Sequence, residues 1–200
     1  MNNKFIIHIS GASGSGKTTL GNKLKNKFGN KIIVKDLDNL RDMFIKSFYG
    51  NKKWTYIDAV KYQDYINNFI NKQKKPIIFV GLNDNTRFGE DKTLYYDVHS
   101  SHKFYIELDD RIILKQKCIR LLNDIQMDKG AMNDLINNNE IFIKQFSKAI
   151  SIECDAKQNS EQNNKWKSDY KKQNYTLMSR ENIYKKVVNL ISQYLRAAKK

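Results

Sequence analysis

The chain is 200 residues long, carries a net charge of +15 at pH 7 and is 40% hydrophobic. A chain of this size buries roughly 70% of its unfolded surface, so a core forms without covalent staples. Its two cysteines, Cys118 and Cys154, exclude a disulfide framework, and no apolar run approaches the ~20 residues of a membrane span.

In chain order, "KFIIHI" (4–9) is a short β-branched apolar run and reads as a buried strand. "TTLGNKLKNKF" (18–28) spaces Leu20, Leu24, Lys27 and Phe28 as a helix, and Gly29-Asn30 stops it. "KIIVKD" (31–36) is a second strand. "DNLRDMFIKSF" (38–48) is a helix with Asp38 as its N-cap. Residues 57–73 resume helical periodicity, and Pro76 opens a third buried strand, "PIIFVG" (76–81). Residues 82–102 lack a clear period and read as loop with a helical turn. "KFYIEL" (103–108) is a fourth strand, followed by a helix over 109–126. Helical stretches over 132–155 and 160–172, divided by a polar Gln-Asn-Ser segment, lead to a fifth strand, "YTLM" (175–178). A closing amphipathic helix (179–200) has Ser179 as its N-cap. Short apolar strands alternating with helices predict an α/β fold with a parallel sheet covered on both faces.

"GASGSGKT" (11–18) matches Gly-x-x-x-x-Gly-Lys-Thr, the Walker A pattern, in the context it requires: a buried strand before and a helix after. Glycines let backbone N–H groups turn inward around a phosphate, and the helix N-terminus adds its dipole. Gly11, Ala12, Ser13, Gly14, Ser15, Gly16, Lys17, Thr18 and Thr19 are therefore the expected nucleotide contacts. Lys17 reaches the β- and γ-phosphates, and Thr18 offers its hydroxyl to Mg²⁺. The expected cofactors are ATP and Mg²⁺.

The run of strand, "GASGSGKTT", helix, strand and "KDLDNLRDMF" resembles the compact P-loop kinases. These include nucleoside and nucleoside-monophosphate kinases, shikimate and gluconate kinases, and 5′-polynucleotide kinases. The resemblance is specific over residues 1–48 and architectural over 76–126. It implies a P-loop NTPase fold of three layers, α/β/α, around a five-stranded parallel sheet. The expected organisation is one domain over 1–200, with an acceptor-binding helical segment at 42–75 and a lid at 121–133. The guanine-reading motif of GTPases and the glycine-rich signature of ABC ATPases are missing from the sequence.

In such kinases an acid where Asp36 stands faces the acceptor or, through water, the magnesium. Asp38 and Arg41 are three apart and share a helix face. They resemble the Asp-x-x-Arg of polynucleotide kinases, in which the acid takes a hydroxyl proton and the arginine grips a neighbouring phosphate. A cap plus a surface pair is the alternative reading of the same residues. Arg87 is a candidate for the acceptor phosphate, and Arg120, more than Arg111, for a lid arginine. Gly81 either lets a substrate approach or begins a turn. The aromatics Tyr49, Trp54, Tyr56, Tyr62 and Tyr65 pack a small cap or stack on a base. His8 reads as a core residue.

The expected activity is transfer of the γ-phosphoryl group of ATP to a small acceptor in the cytoplasm, first a nucleoside or nucleoside monophosphate. A 5′-hydroxyl polynucleotide kinase and a slow NTPase or NTP-binding regulator remain as alternatives. The positive charge keeps nucleic acid open as a partner, but the lysines are spread along the chain, and an AT-rich coding sequence would give the same bias. No membrane partner is expected, and the sequence leaves the oligomeric state undetermined.

Overall fold

The computed structural model describes residues 4–48, 56–81, 85–88, 92–95, 97–137, 139–153 and 155–198. The chain divides into two compact units: Met1–Gly11, Gly16–Ile106 and Asn174–Lys200 form the first, and Ala12–Ser15 with Glu107–Gln173 the second.

The first unit is built on five parallel strands, β1 (Ile6–Gly11), β2 (Ile33–Asp36), β3 (Ile77–Val80), β6 (His102–Ile106) and β7 (Thr176–Met178), in the order β2-β3-β1-β6-β7. Ile6 pairs with Ile77, Ile7 with His102, Ile33 with Ile77 and Phe104 with Thr176. The central strands β1 and β3 are buried along their whole length because both of their faces are covered. Alternate residues divide between those faces. Ile6, Ile77 and Phe79 join Leu37, Leu40 and Phe44 of α2 (Leu37–Phe48) and Tyr62, Ile66 and Ile70 of α3 (Tyr56–Lys72) in one apolar cluster. The opposite face is covered by α1 (Lys17–Phe28) and α8 (Arg180–Ala197), which pack together. Helix α8 buries Ile183, Val187 and Ile191, one residue per turn.

Helix α1 lies close to the sheet because Gly21 has no side chain. A Cβ there would stand 3.0 Å from a Val34 methyl and 3.1 Å from a Val80 methyl. At the end of α3, Lys4 Nζ donates to the carbonyls of Ile70, Asn71 and Gln73, placing a cation at the negative end of the helix dipole.

Three expectations are corrected. Within 82–102, the described residues form an antiparallel pair, β4 (Asn85–Phe88) with β5 (Lys92–Tyr95), where a loop with a helical turn was expected. Polar and aromatic residues without an amphipathic period gave no cue to a two-stranded ribbon with no third strand to cover it. Asp38 is not the N-cap of α2: the helix begins at Leu37, and Asp36 accepts the Asp38 N–H at 3.0 Å. The polar segment near 155–160 is not a divider. Asp155 caps α7 (Ala156–Lys172) by accepting the Gln158 N–H, and the helix runs through the segment.

The second unit is helical: α4 (Asp110–Met127), α5 (Lys129–Asn137), α6 (Asn139–Glu153) and α7. The stretch 132–155 thus divides between α5 and α6. Asp110 joins α4 to α7 by accepting from Ser160 Oγ at 2.6 Å and from Asn163 Nδ2 at 2.5 Å. Asn163 is buried, and Lys117 bonds Asn159 beside it. The Ser160 bond leads in holding the Asp110 carboxyl below the usual range. Among the described residues, no helix is long and apolar enough to cross a membrane.

His8, on the central strand, is fully buried. Its Nε2 lies 3.2 Å from the Gly81 carbonyl, an acceptor, so Nε2 carries the proton and Nδ1 accepts from the Tyr175 hydroxyl at 2.5 Å. The ring thus ties the exit of β3 to the approach of β7. Burial pushes its pKa from 6.5 down to about 4. The unfolded chain binds this proton as pH falls through about 6.5, the folded chain only near 4, so stability is complete above that range and declines on acidification. Between pH 7.5 and 5, urea unfolding should show the wild type losing about 2 kcal/mol more than a His8→Gln variant. Identical pH dependence of the two would assign the loss to other groups.

Candidate functional site

Strand β1 ends at Gly11 and α1 begins at Lys17. Gly16, between them, adopts the left-handed conformation at φ 83°, ψ 26°, and offers α1 no capping side chain. With no acid in the first turn either, the helix start presents backbone donors and its positive dipole end to an anion. Lys17 Nζ lies 2.8 Å from the Gly11 carbonyl, which accepts its hydrogen bond.

In the first turn of α1 the Thr18 hydroxyl donates to Asp36 Oδ2 at 3.0 Å, and the other oxygen of that carboxylate holds the Asp38 N–H. A single carboxylate at the end of β2 therefore links the first turn of α1 to the first turn of α2. Asp38, exposed in that turn, lies 4.0 Å from the half-buried Arg41 guanidinium. At that distance and exposure the pair is weak, about 0–1 kcal/mol, and the carboxylate stays accessible.

Gly81, just past β3, has φ +133°. A Cβ there would stand 3.0 Å from Leu37 Cβ and 3.3 Å from Leu37 N. The close approach at Gly81 is thus to the backbone that follows Asp36. Ser179 caps α8 by accepting the Asn182 N–H, which sets Arg180 at the first helical position. Arg180 lies against Gly16: a Cβ at Gly16 would come within 2.5 Å of its guanidinium. Sequence reasoning missed this residue. Its signal, an arginine directly after a strand-to-helix cap, becomes visible only when β7 is known to lie in the same sheet as β1.

The crest of the glycine loop, Ala12–Ser15, groups with the second unit. Ser15 N–H donates to the Ala12 carbonyl, closing a turn. Gly14, at φ +80°, sits near Gln116 and Ile113 of α4. Exposed Arg120 has Nη1 3.5 Å from Ser13 Oγ and Nε 3.5 Å from Asp124. Ser15 Oγ, and in the first unit Ser10 Oγ at the end of β1, are buried without a hydrogen-bond partner among the described residues.

Thr18, Asp36, Asp38 and Arg41 are thus brought together, and so are Lys17 with Gly11 and Arg120 with Ser13. Thr19 is exposed on α1, and Arg111 is exposed at the start of α4. Residues 121–133 continue α4 into α5, and the Gly130 N–H is accepted by Asp128. Tyr62 is buried against the Leu37 carbonyl, and Tyr65 packs on Phe44. Arg87 lies in β4 with its side chain outside the described residues, as do Tyr49, Trp54 and the Tyr56 side chain.

The residues fit a magnesium nucleotide. A hydroxyl and a carboxylate oxygen 3.0 Å apart at Thr18 and Asp36 are hard oxygen donors of the kind this cation takes. Left-handed glycines with no Cβ, a lysine and an uncapped helix start suit phosphate oxygens.

The chain is 31% identical over 159 residues to the cytidine diphosphoramidate kinase of Campylobacter jejuni subsp. jejuni serotype O:2, covering 68% of this chain and 88% of that one. Among solved structures, it is similar to shikimate kinase from Acinetobacter baumannii in complex with shikimate, at TM-score 0.48 and 12% identity over 96% of this chain and 95% of that one. Shikimate kinase from Bacteroides thetaiotaomicron gives TM-score 0.45 and 13% identity over 94% and 98%. These two likenesses are too slight to bear on the chain's chemistry. No family model matches the chain.

Gly81→Ala tests the close approach. The positive φ and the contact with Leu37 should together cost about 1–3 kcal/mol in chemical denaturation. A variant as stable as the wild type would show that Leu37 shifts freely.

Proposed function

The chain belongs to the P-loop kinases and is a phosphotransferase, and from that premise we propose that it moves the γ-phosphoryl group of ATP to a hydroxyl of a small, phosphate-bearing nucleotide acceptor of the cytidine type. The observation that carries this reading is the division of labour between two neighbouring carboxylates. Asp36 is engaged by the Thr18 hydroxyl and the start of α2, whereas Asp38 stands free of that bond, beside Arg41. Asp36 then belongs to the metal side of the site and Asp38 to the acceptor side. The base is suggested by the cytidine diphosphoramidate kinase to which the chain is similar.

In this reading the backbone donors from Gly11 to Thr19 hold the phosphate chain, with Lys17 on the transferred group. Thr18 and Asp36 would hold magnesium, which would neutralise the phosphate oxygens. Asp38 takes the proton of the acceptor hydroxyl as that oxygen bonds to the γ-phosphorus. The bond from phosphorus to the β–γ bridging oxygen breaks, and ADP leaves with that electron pair. Arg41 holds a phosphate of the acceptor in a charge-assisted pair. Arg120, beside Ser13, and Arg87 are further phosphate-binding candidates, the segments 42–75 and 121–133 serving as acceptor-binding and lid elements.

A phosphate acceptor is already ionised and needs clamps more than a base, so Asp38 favours a hydroxyl. A 5′-hydroxyl oligonucleotide is the second acceptor class, favoured by the spacing of Asp38 and Arg41 and by the net charge of +15.

An ADP-release screen across cytidine nucleotides, other nucleosides and nucleotides, and 5′-hydroxyl oligonucleotides tests the acceptor. Release with cytidine nucleotides and not with oligonucleotides is expected; the reverse would favour the second class. Lys17→Ala should abolish acceptor-dependent release with the fold retained. Asp38→Asn should lower kcat about 10²–10⁴-fold with little change in KM. Wild-type kcat in that variant would remove the base from the mechanism.

A further inference from the structure

We propose that Arg180 binds the phosphate chain of the donor nucleotide, as a third cation beside Lys17 and the start of α1; this rests on the reading of the glycine loop as an ATP site. Three observations converge. The first is contact: the guanidinium lies so near Gly16 that a methyl group there would stand 2.5 Å from Nη1. Gly16 is therefore confined twice, by its left-handed φ of 83° and by the arginine lying over it.

The second is the absence of an internal counter-charge. Arg180 is exposed and makes no ion pair among the described residues. The neighbouring acid, Glu181, is committed to Lys185 at 2.9 Å, and that bond leads in lowering its pKa. An arginine over Gly16, the N-cap residue of α1, adds positive charge at a positive helix end, which an arriving anion relieves.

The third is the side of the sheet. The strand order β2-β3-β1-β6-β7 sets Asp36, Asp38 and Arg41 beyond one flank of β1 and Arg180 beyond the other. An arginine following β7 is thus separated from the acceptor pair, Asp38 and Arg41, by the central strand from which the loop emerges. It serves the group that stays on the enzyme as ADP. The guanidinium fork suits two phosphate oxygens, which lysine cannot span in the same way.

The test is calorimetric, with ATP, ADP and inorganic tripolyphosphate titrated into the full chain and into Arg180→Ala and Arg180→Lys. Arg180→Ala should bind all three ligands about ten- to a hundredfold more weakly, and Arg180→Lys should recover part of that loss. Unfolding midpoints within a few degrees of the wild type show that the exposed substitution leaves the fold intact. Tripolyphosphate binding that is unchanged while ATP binding weakens would assign Arg180 to the base and overturn the proposal. Unchanged affinity for all three would overturn it outright while leaving the loop's role standing. A wild-type chain that binds none of the three overturns the underlying reading and this inference with it.

Discussion

One carboxylate governs the arrangement of the first unit. Asp36 accepts the Thr18 hydroxyl through one oxygen and the Asp38 N–H through the other, both at 3.0 Å. Strand β3 separates β2 from β1 in the sheet, so the bond crosses the end of an intervening strand. That strand finishes in Gly81, where any side chain would press on Leu37. His8 holds the same glycine from below through its carbonyl. A bare residue, a neutral imidazole and a two-handed carboxylate thus fix how the helix carrying Lys17 meets the helix carrying Asp38 and Arg41.

The glycine loop and the five strands of the parallel sheet were legible because their signals are local, whereas β4 and β5 were not. Five apolar β-branched or aromatic runs fall where five strands lie, and the spacing from Gly11 to Thr18 states its chemistry directly. Asp36, Asp38 and Arg41 were also legible, since six residues of chain hold them together, although Asp36 took the capping role expected of Asp38. Arg180 was not: its partner Gly16 lies at the other end of the sequence, and only the pairing of β6 with β7 brings the two near. Ser160 and Asn163 were not legible either. In a run of asparagines and glutamines nothing distinguishes the one that will be buried against Asp110 from those that stay in water.

The second unit obeys different physics. Polar bonds between α4 and α7 carry much of its definition, and one of those partners, Asn163, is buried. Ile119, Leu122, Met127, Ile136 and Ile143 remain exposed on its helices. The first unit is the reverse: its cluster around Ile66, Ile77 and Phe79 is fully buried and apolar, with His8 as a polar exception whose two nitrogens are both satisfied.

The bare Cα at Gly21 has a corollary for anyone reshaping this scaffold. Two valine methyls already occupy the volume a side chain would need, so bulk beneath α1 can only be exchanged between partners. Alanine at 21 asks Val34 and Val80 to give way by a few tenths of an ångström. Randomised libraries should mutate these three positions jointly, because varying one alone lifts the threonine and lysine away from the strands that aim them.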